Sequence, residues 1–233
     1  MRSLKLGFVF LVILLIVVLS AVSVARLKRN GASSGRVSHS PPETGENAAE
    51  TQRFRLDAAQ SKFIAHAMAG GLLWFKGHDH LVAVREFSGE AQLNPDQVNP
   101  ASLEIVAKSG SMVETSSVFT EAQKQIIDKE LHDIVLQPDQ YPEISFRSTQ
   151  VQGQKSAGNE YQLQIAGNLT LHGITRPITI PAKLTVSGSE MRAVGEFSID
   201  RNDFGVKATS AYHGLVRVGD KVKFTFDIVG HRL

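Results

Sequence analysis

The stretch EYQLQIAGNLTL at Glu160–Leu171 alternates apolar and polar residues with a period of two. Tyr161, Leu163, Ile165, Gly167, Leu169 and Leu171 share one face, and Gln162, Gln164, Asn168 and Thr170 share the other. That period belongs to a half-buried strand and excludes an amphipathic helix. Near the C-terminus the pattern returns, with Val222, Phe224, Phe226 and Ile228 on one side and Lys223, Thr225 and Asp227 on the other. Further runs at 61–68, 81–93, 103–108, 144–151, 178–186 and 191–199 bring the total to about eight strands separated by turn signals. Each strand keeps one wet face, so the class is all-β, an antiparallel barrel or sandwich.

One helix interrupts the strands. Thr120 is placed to cap it and Gln123 stands three residues on, as a capping box requires. Ile127, Leu131, Ile134 and Val135 then form its apolar face. Pro138 and Pro142, which lack the donors of a continuing helix, end it. Such a helix is expected to lid or pack across one barrel opening.

At the N-terminus, residues 6–24 are an uncharged, mostly apolar run, long enough as a helix to cross roughly 30 Å of hydrocarbon. Arg2 and Lys5 precede it, and Ser23, Val24 and Ala25 supply small residues at a cleavage-site spacing. The run exceeds a typical export-signal core, and Arg26, Lys28 and Arg29 follow it. Residues 1–25 are therefore expected to be a transmembrane anchor, with a cleaved signal peptide as the alternative. Residues 26–53, rich in Ser, Gly, Pro, Asn and Glu, read as a disordered linker with a reach of roughly 30 Å. The folded domain is then 54–233.

Chemistry is sparse. The chain has no cysteine, so disulfides, thiolate metal sites and cysteine nucleophiles drop out together. A net charge of +2, from 25 basic and 23 acidic residues without local clustering, does not describe a nucleic-acid surface. No nucleophile elbow surrounds a serine and no phosphate-binding glycine loop is present. Asp200, Arg201, Asn202 and Asp203 read as turn chemistry with a local ion pair, not as an acid–base group. His78 and His80 flank Asp79; in an extended segment they project from one face about 6.6 Å apart, a spacing that could serve a metal with His132 or a carboxylate added. The plainer reading, a polar strand end whose imidazoles hydrogen-bond locally, is preferred, so no metal and no cofactor is expected.

The order of several motifs resembles the YceI-like proteins. It is carried by FRLDAAQSKF at 54–63, YPEISFRSTQV at 141–151, GNLTLHGITRPITI at 167–180, FSIDRNDFGV at 197–206 and the closing GDKVKFTFDIVGHR. The first hairpin, GGLLWFKGHDHLVAVREFSG, departs from that pattern. The resemblance implies an eight-stranded antiparallel lipocalin-like barrel with one helix, binding or shuttling a polyisoprenoid-type lipid, an isoprenoid quinone among the candidates, without catalysis. It makes the His172–Gly173 turn structural. It also makes Phe63, Trp74, Phe75, Phe146, Leu163, Ile165, Leu169, Leu171, Phe197, Phe224 and Phe226 the lipid-lining set, where a filled barrel would have them as core. The expected setting is periplasmic or otherwise extracytoplasmic, anchored to the inner membrane or exported, with the membrane and the lipid as partners and a homodimer as a further candidate. The competing classes are a histidine-dependent metal protein or enzyme, and a structural barrel acting through its surface.

Overall fold

A computed structural model of the chain describes residues 50–211, 213 and 215–233. The apolar N-terminal run and nearly all of the expected linker lie outside the described residues. Among those described, no helix is long and apolar enough to cross a membrane.

The strand segments are β1 (Gln52–Gly70), β2 (His80–Val84), β3 (Phe87–Asn94), β4 (Val98–Lys108), β5 (Met112–Glu114), β6 (Glu143–Ala157), β7 (Glu160–Leu171), β8 (Ile174–Ser187), β9 (Glu190–Asp200), β10 (Ser210–Ala211) and β11 (Val216–Arg232). All pair antiparallel in one sheet, and β1 closes it by pairing with β11 on one side and with β2 and β3 on the other. Two wall strands are each made of two segments: β2 leads into β3, and β4 bends through a 3-10 turn at Ser109–Ser111 into β5. The result is an eight-stranded barrel, β10 being a short addition beside β11.

The segment 81–93, expected as one strand, is broken at Arg85 and Glu86. There the Glu86 backbone N–H donates to Ser111 Oγ at 2.9 Å and its carbonyl accepts from Lys108 N at 2.9 Å, so the ladder changes partner. The barrel also starts earlier than expected: Gln52 and Arg53 pair with Leu93 and Gln92, so the end of the 26–53 stretch belongs to the wall.

A bulge interrupts the alternation of β1. Asp57 accepts from the N–H groups of Ala59 and Gln60 at 2.9 and 3.2 Å, and the register with β11 shifts between Asp57 and Lys62. The shift exchanges odd and even positions, so Leu56 before it and Phe63 and Ala65 after it all face inward. In β7, which has no such defect at its inward positions, every odd residue from Tyr161 to Leu171 is buried.

The two ends of the barrel differ. At one, Gly158 and Gly188 take left-handed φ values in the tight turns joining β6 to β7 and β8 to β9. Buried Phe54 and Tyr161, the latter donating to the Pro95 carbonyl at 2.9 Å, plug this end. The other end gathers the longer connections and the helix α1 (Glu121–Glu130). The predicted capping box forms: Thr120 Oγ1 accepts from Gln123 N, and Gln123 Oε1 accepts from Thr120 N at 2.8 Å. The helix continues as a π turn over Leu131–Leu136, whose wider winding brings Leu136 inside and leaves Ile134 42% exposed, against the regular helical face expected.

Candidate functional site

The interior is not filled. A cavity of about 430 Å³ runs inside the barrel between the helical end and the plugged end, and its wall is overwhelmingly apolar. Its volume is in the range of small-molecule sites. Eight of the expected lining residues are on its wall: Phe63, Phe146, Ile165, Leu169, Leu171, Phe197, Phe224 and Phe226. Strand alternation aims each of them. Two inward glycines make room for rings, since Gly167 lies beneath Phe146 and Gly195 beneath Phe226, each closer than a side chain would permit. Phe197 stacks on Phe224 with centroids 5.0 Å apart, and Phe63 meets Phe224 and Phe226 edge-on at 6.0 and 6.4 Å.

Three expected residues are elsewhere. Trp74 and Phe75 do not line the cavity: they sit in a 3-10 turn (Trp74–Lys76) between β1 and β2, 62% and 63% exposed, where no strand alternation directs them inward. Leu163 is buried in the solid-packed end near Tyr161 rather than on the cavity wall.

Leu131, Val135 and Leu136 of the π turn, with Ile127 of α1, close over the mouth. On the rim, His172 and Gly173 have φ of 53° and 74°, the geometry of a two-residue type I′ hairpin turn, so the structural reading of that motif holds. His172 Nε2 donates to Gln137 Oε1 at 2.9 Å and its ring lies 3.9 Å from that of Tyr141. Burial, followed by the nearby Lys207 charge, pushes its imidazole below the usual histidine range.

Arg201 also reaches the cavity and is buried at 8% exposure. It donates to the carbonyls of Gly219 and Val206 at 3.2 and 2.8 Å and to Asp220 at 2.5 Å. The ion pair expected within 200–203 is therefore long-range. Asp200 instead caps the following turn by accepting from Asn202 N at 2.8 Å.

The histidines whose spacing could serve a metal have different partners. Asp79 accepts from the Ala69 N–H at 2.9 Å and bonds His66 Nε2 at 3.2 Å. The first of these bonds holds the Asp79 carboxyl below its ordinary range, opposed by burial and helped by His66. His132 Nε2 is turned to the Met112 carbonyl at 2.9 Å. His78 and His80 both line the cavity mouth and pack on Phe119, but His80 Nδ1 is bonded to Glu114. Among the described residues, no group of three or more His, Asp and Glu could hold a metal ion. Glu114 carries no sequence signal; it comes to His80 only because β5 pairs with β2.

The model of the YceI-like domain matches residues 54–230. This chain belongs to the YceI-like domain family. Protein YceI of Shigella flexneri is 36% identical over 119 residues, covering 48% of this chain and 56% of its own length. A UPF0312 protein of Pseudomonas savastanoi is 38% identical over 104 residues, 41% of this chain and 50% of its own. The chain thus spans about half the length of these curated relatives. Two solved structures share the fold: BcnA of Burkholderia cenocepacia, with a TM-score of 0.58 at 20% identity over 75% of this chain and 98% of that one, and a polyisoprenoid binding domain of Saccharophagus degradans, with a TM-score of 0.57 at 13% identity over 77% and 98%.

Proposed function

We propose that this YceI-like barrel binds a polyisoprenoid-type lipid in its interior and exchanges it with a membrane, without catalysing a reaction. The observation that carries the reading is the apolar cavity of about 430 Å³, open at one end beneath a helix and plugged at the other by Phe54 and Tyr161. The description of the Saccharophagus degradans domain as polyisoprenoid binding supports the same class.

Energetics favour a carrier. Burying a hydrocarbon from water gains about 0.8 kcal/mol per CH₂, but a bilayer is as apolar as the barrel, so the net hydrophobic drive between them is small. Retention then depends on shape, on closure by the π turn, and on polar contacts at the mouth. The proposed setting is extracytoplasmic. An anchor in residues 1–25 would join the barrel through β1, which enters at the plugged end, so exchange with the same membrane would require the linker to let the domain turn.

Native mass spectrometry and organic extraction of the full chain test the reading. The expected result is a long-chain isoprenoid lipid, a quinone included, near one per barrel. Repeated extractions that yield none from protein made in a membrane-rich host would refute it. The same spectra read whether two copies pair.

A further inference from the structure

Resting on the lipid reading of the cavity, we infer that His80 is a head-group acceptor: its Nε2, fixed as a lone pair by Glu114, takes a hydrogen bond from the hydroxyl of a lipid alcohol or quinol.

His80 opens β2 opposite Ala67, and Ala65, Ala67 and Val82 beside it are cavity wall, so the imidazole faces the mouth of the same space. Its orientation is built. The ring lies flat on Phe119, with centroids 5.3 Å apart and planes 19° from parallel. Behind it, Nδ1 is 2.8 Å from Glu114 Oε2. The Glu114 side chain has no exposure, whereas that of His80 is 24% exposed. The other oxygen, Oε1, accepts from the backbone N–H groups of Leu81, Thr115 and Ser116 at 3.1, 2.9 and 2.7 Å.

With Oε1 taken by three N–H donors, Oε2 faces Nδ1 as the acceptor. The tautomer this geometry selects has its proton on Nδ1 and its lone pair at Nε2. Nε2 has no hydrogen-bond partner among the described residues. With the cavity empty of lipid, water can serve it. A tail that fills the barrel and displaces water leaves it needing a donor, and a stranded acceptor is costly.

That selects the ligand. An ether or a quinone carbonyl has no proton to give. An ionised phosphate has none either, and at His80 it would face the Glu114 side chain. A hydroxyl supplies the missing donor without adding charge.

The test compares farnesol with farnesyl methyl ether, binding each to the full chain in detergent by calorimetry. Wild type should prefer the alcohol at least roughly fivefold, the value of one neutral hydrogen bond. In His80→Phe, which keeps an aromatic ring beside Phe119, the preference should vanish while the ether binds as before. Glu114→Gln turns an amide N–H toward Nδ1 and reverses the tautomer, so it should also abolish the preference. Its ¹⁵N histidine spectrum should show the proton moved to Nε2. Equal binding of both probes to wild type, or a preference that survives in His80→Phe, would overturn the inference and leave the lipid reading intact. Failure of wild type to bind either probe would overturn the lipid reading itself.

Discussion

The ring of Phe146 lies directly over Gly167 across the β6–β7 ladder: a methyl group on Gly167 would sit 2.5 Å from Phe146 Cζ. The glycine is what allows the ring to fold against the wall instead of into the cavity. Gly167→Ala should lower stability by about 1–3 kcal/mol, read by urea unfolding, and push the ring into the cavity. Adding Phe146→Leu should recover only part of that loss, because the Arg147 carbonyl oxygen would also lie 2.5 Å from the new methyl. Full recovery would show that the ring alone sets the requirement.

At the plugged end, Tyr161 is 1% exposed and its hydroxyl satisfies the Pro95 carbonyl. Tyr161→Phe keeps the packing and strands the carbonyl, so it should cost about 1–3 kcal/mol. Lipid content should not change, since Tyr161 does not touch the cavity. A loss of lipid would mean that the plug, and not only the mouth, controls occupancy.

Acid should weaken the His172 turn. Burial holds this imidazole below its ordinary value of 6.5, with Lys207 adding to the effect. The unfolded chain therefore binds the proton more readily than the folded one, and the contribution of neutral His172 is present above that ordinary value and lost as pH falls beneath it. Asn tolerates the left-handed φ of 53° at this position. His172→Asn should thus become relatively more stable than wild type between about pH 7 and pH 5 in thermal melts. A stability gap that stays constant over that range would contradict the assignment.

Most of the wall was legible because strands write their two faces into alternate positions: β7 shows it from Tyr161 to Leu171, and β11 from Val222 to Ile228. Sequence reasoning failed where that rule stops. Trp74 and Phe75 are as apolar as any lining residue, but a 3-10 turn has no inward parity, and hydrophobicity alone could not place them. The inward phase of β1 depended on the Asp57 bulge. Glu114 and Arg201 reach the cavity region through partners set by strand order, His80 across β2 and β5 and Asp220 on β11, and no local pattern encodes such a meeting. The helix was readable from Thr120 and Gln123, whereas its last turn was not, because the π winding broke the period used to read it.

Leu169→Trp separates an open barrel from a filled one. Leu169 is buried and lines the cavity, so an indole at this position has space to enter. Overpacking a filled core costs about 1–3 kcal/mol. Here the loss should be smaller, because the added ring replaces empty space rather than neighbours, while bound lipid should disappear from extracts of the purified chain. The companion Leu169→Arg should also remove the lipid but at a much larger loss of stability, since an unpaired guanidinium would be held against apolar walls. A Trp variant that melts like an overpacked core, or one that retains its lipid, would show that the space inside the barrel is not the lipid site.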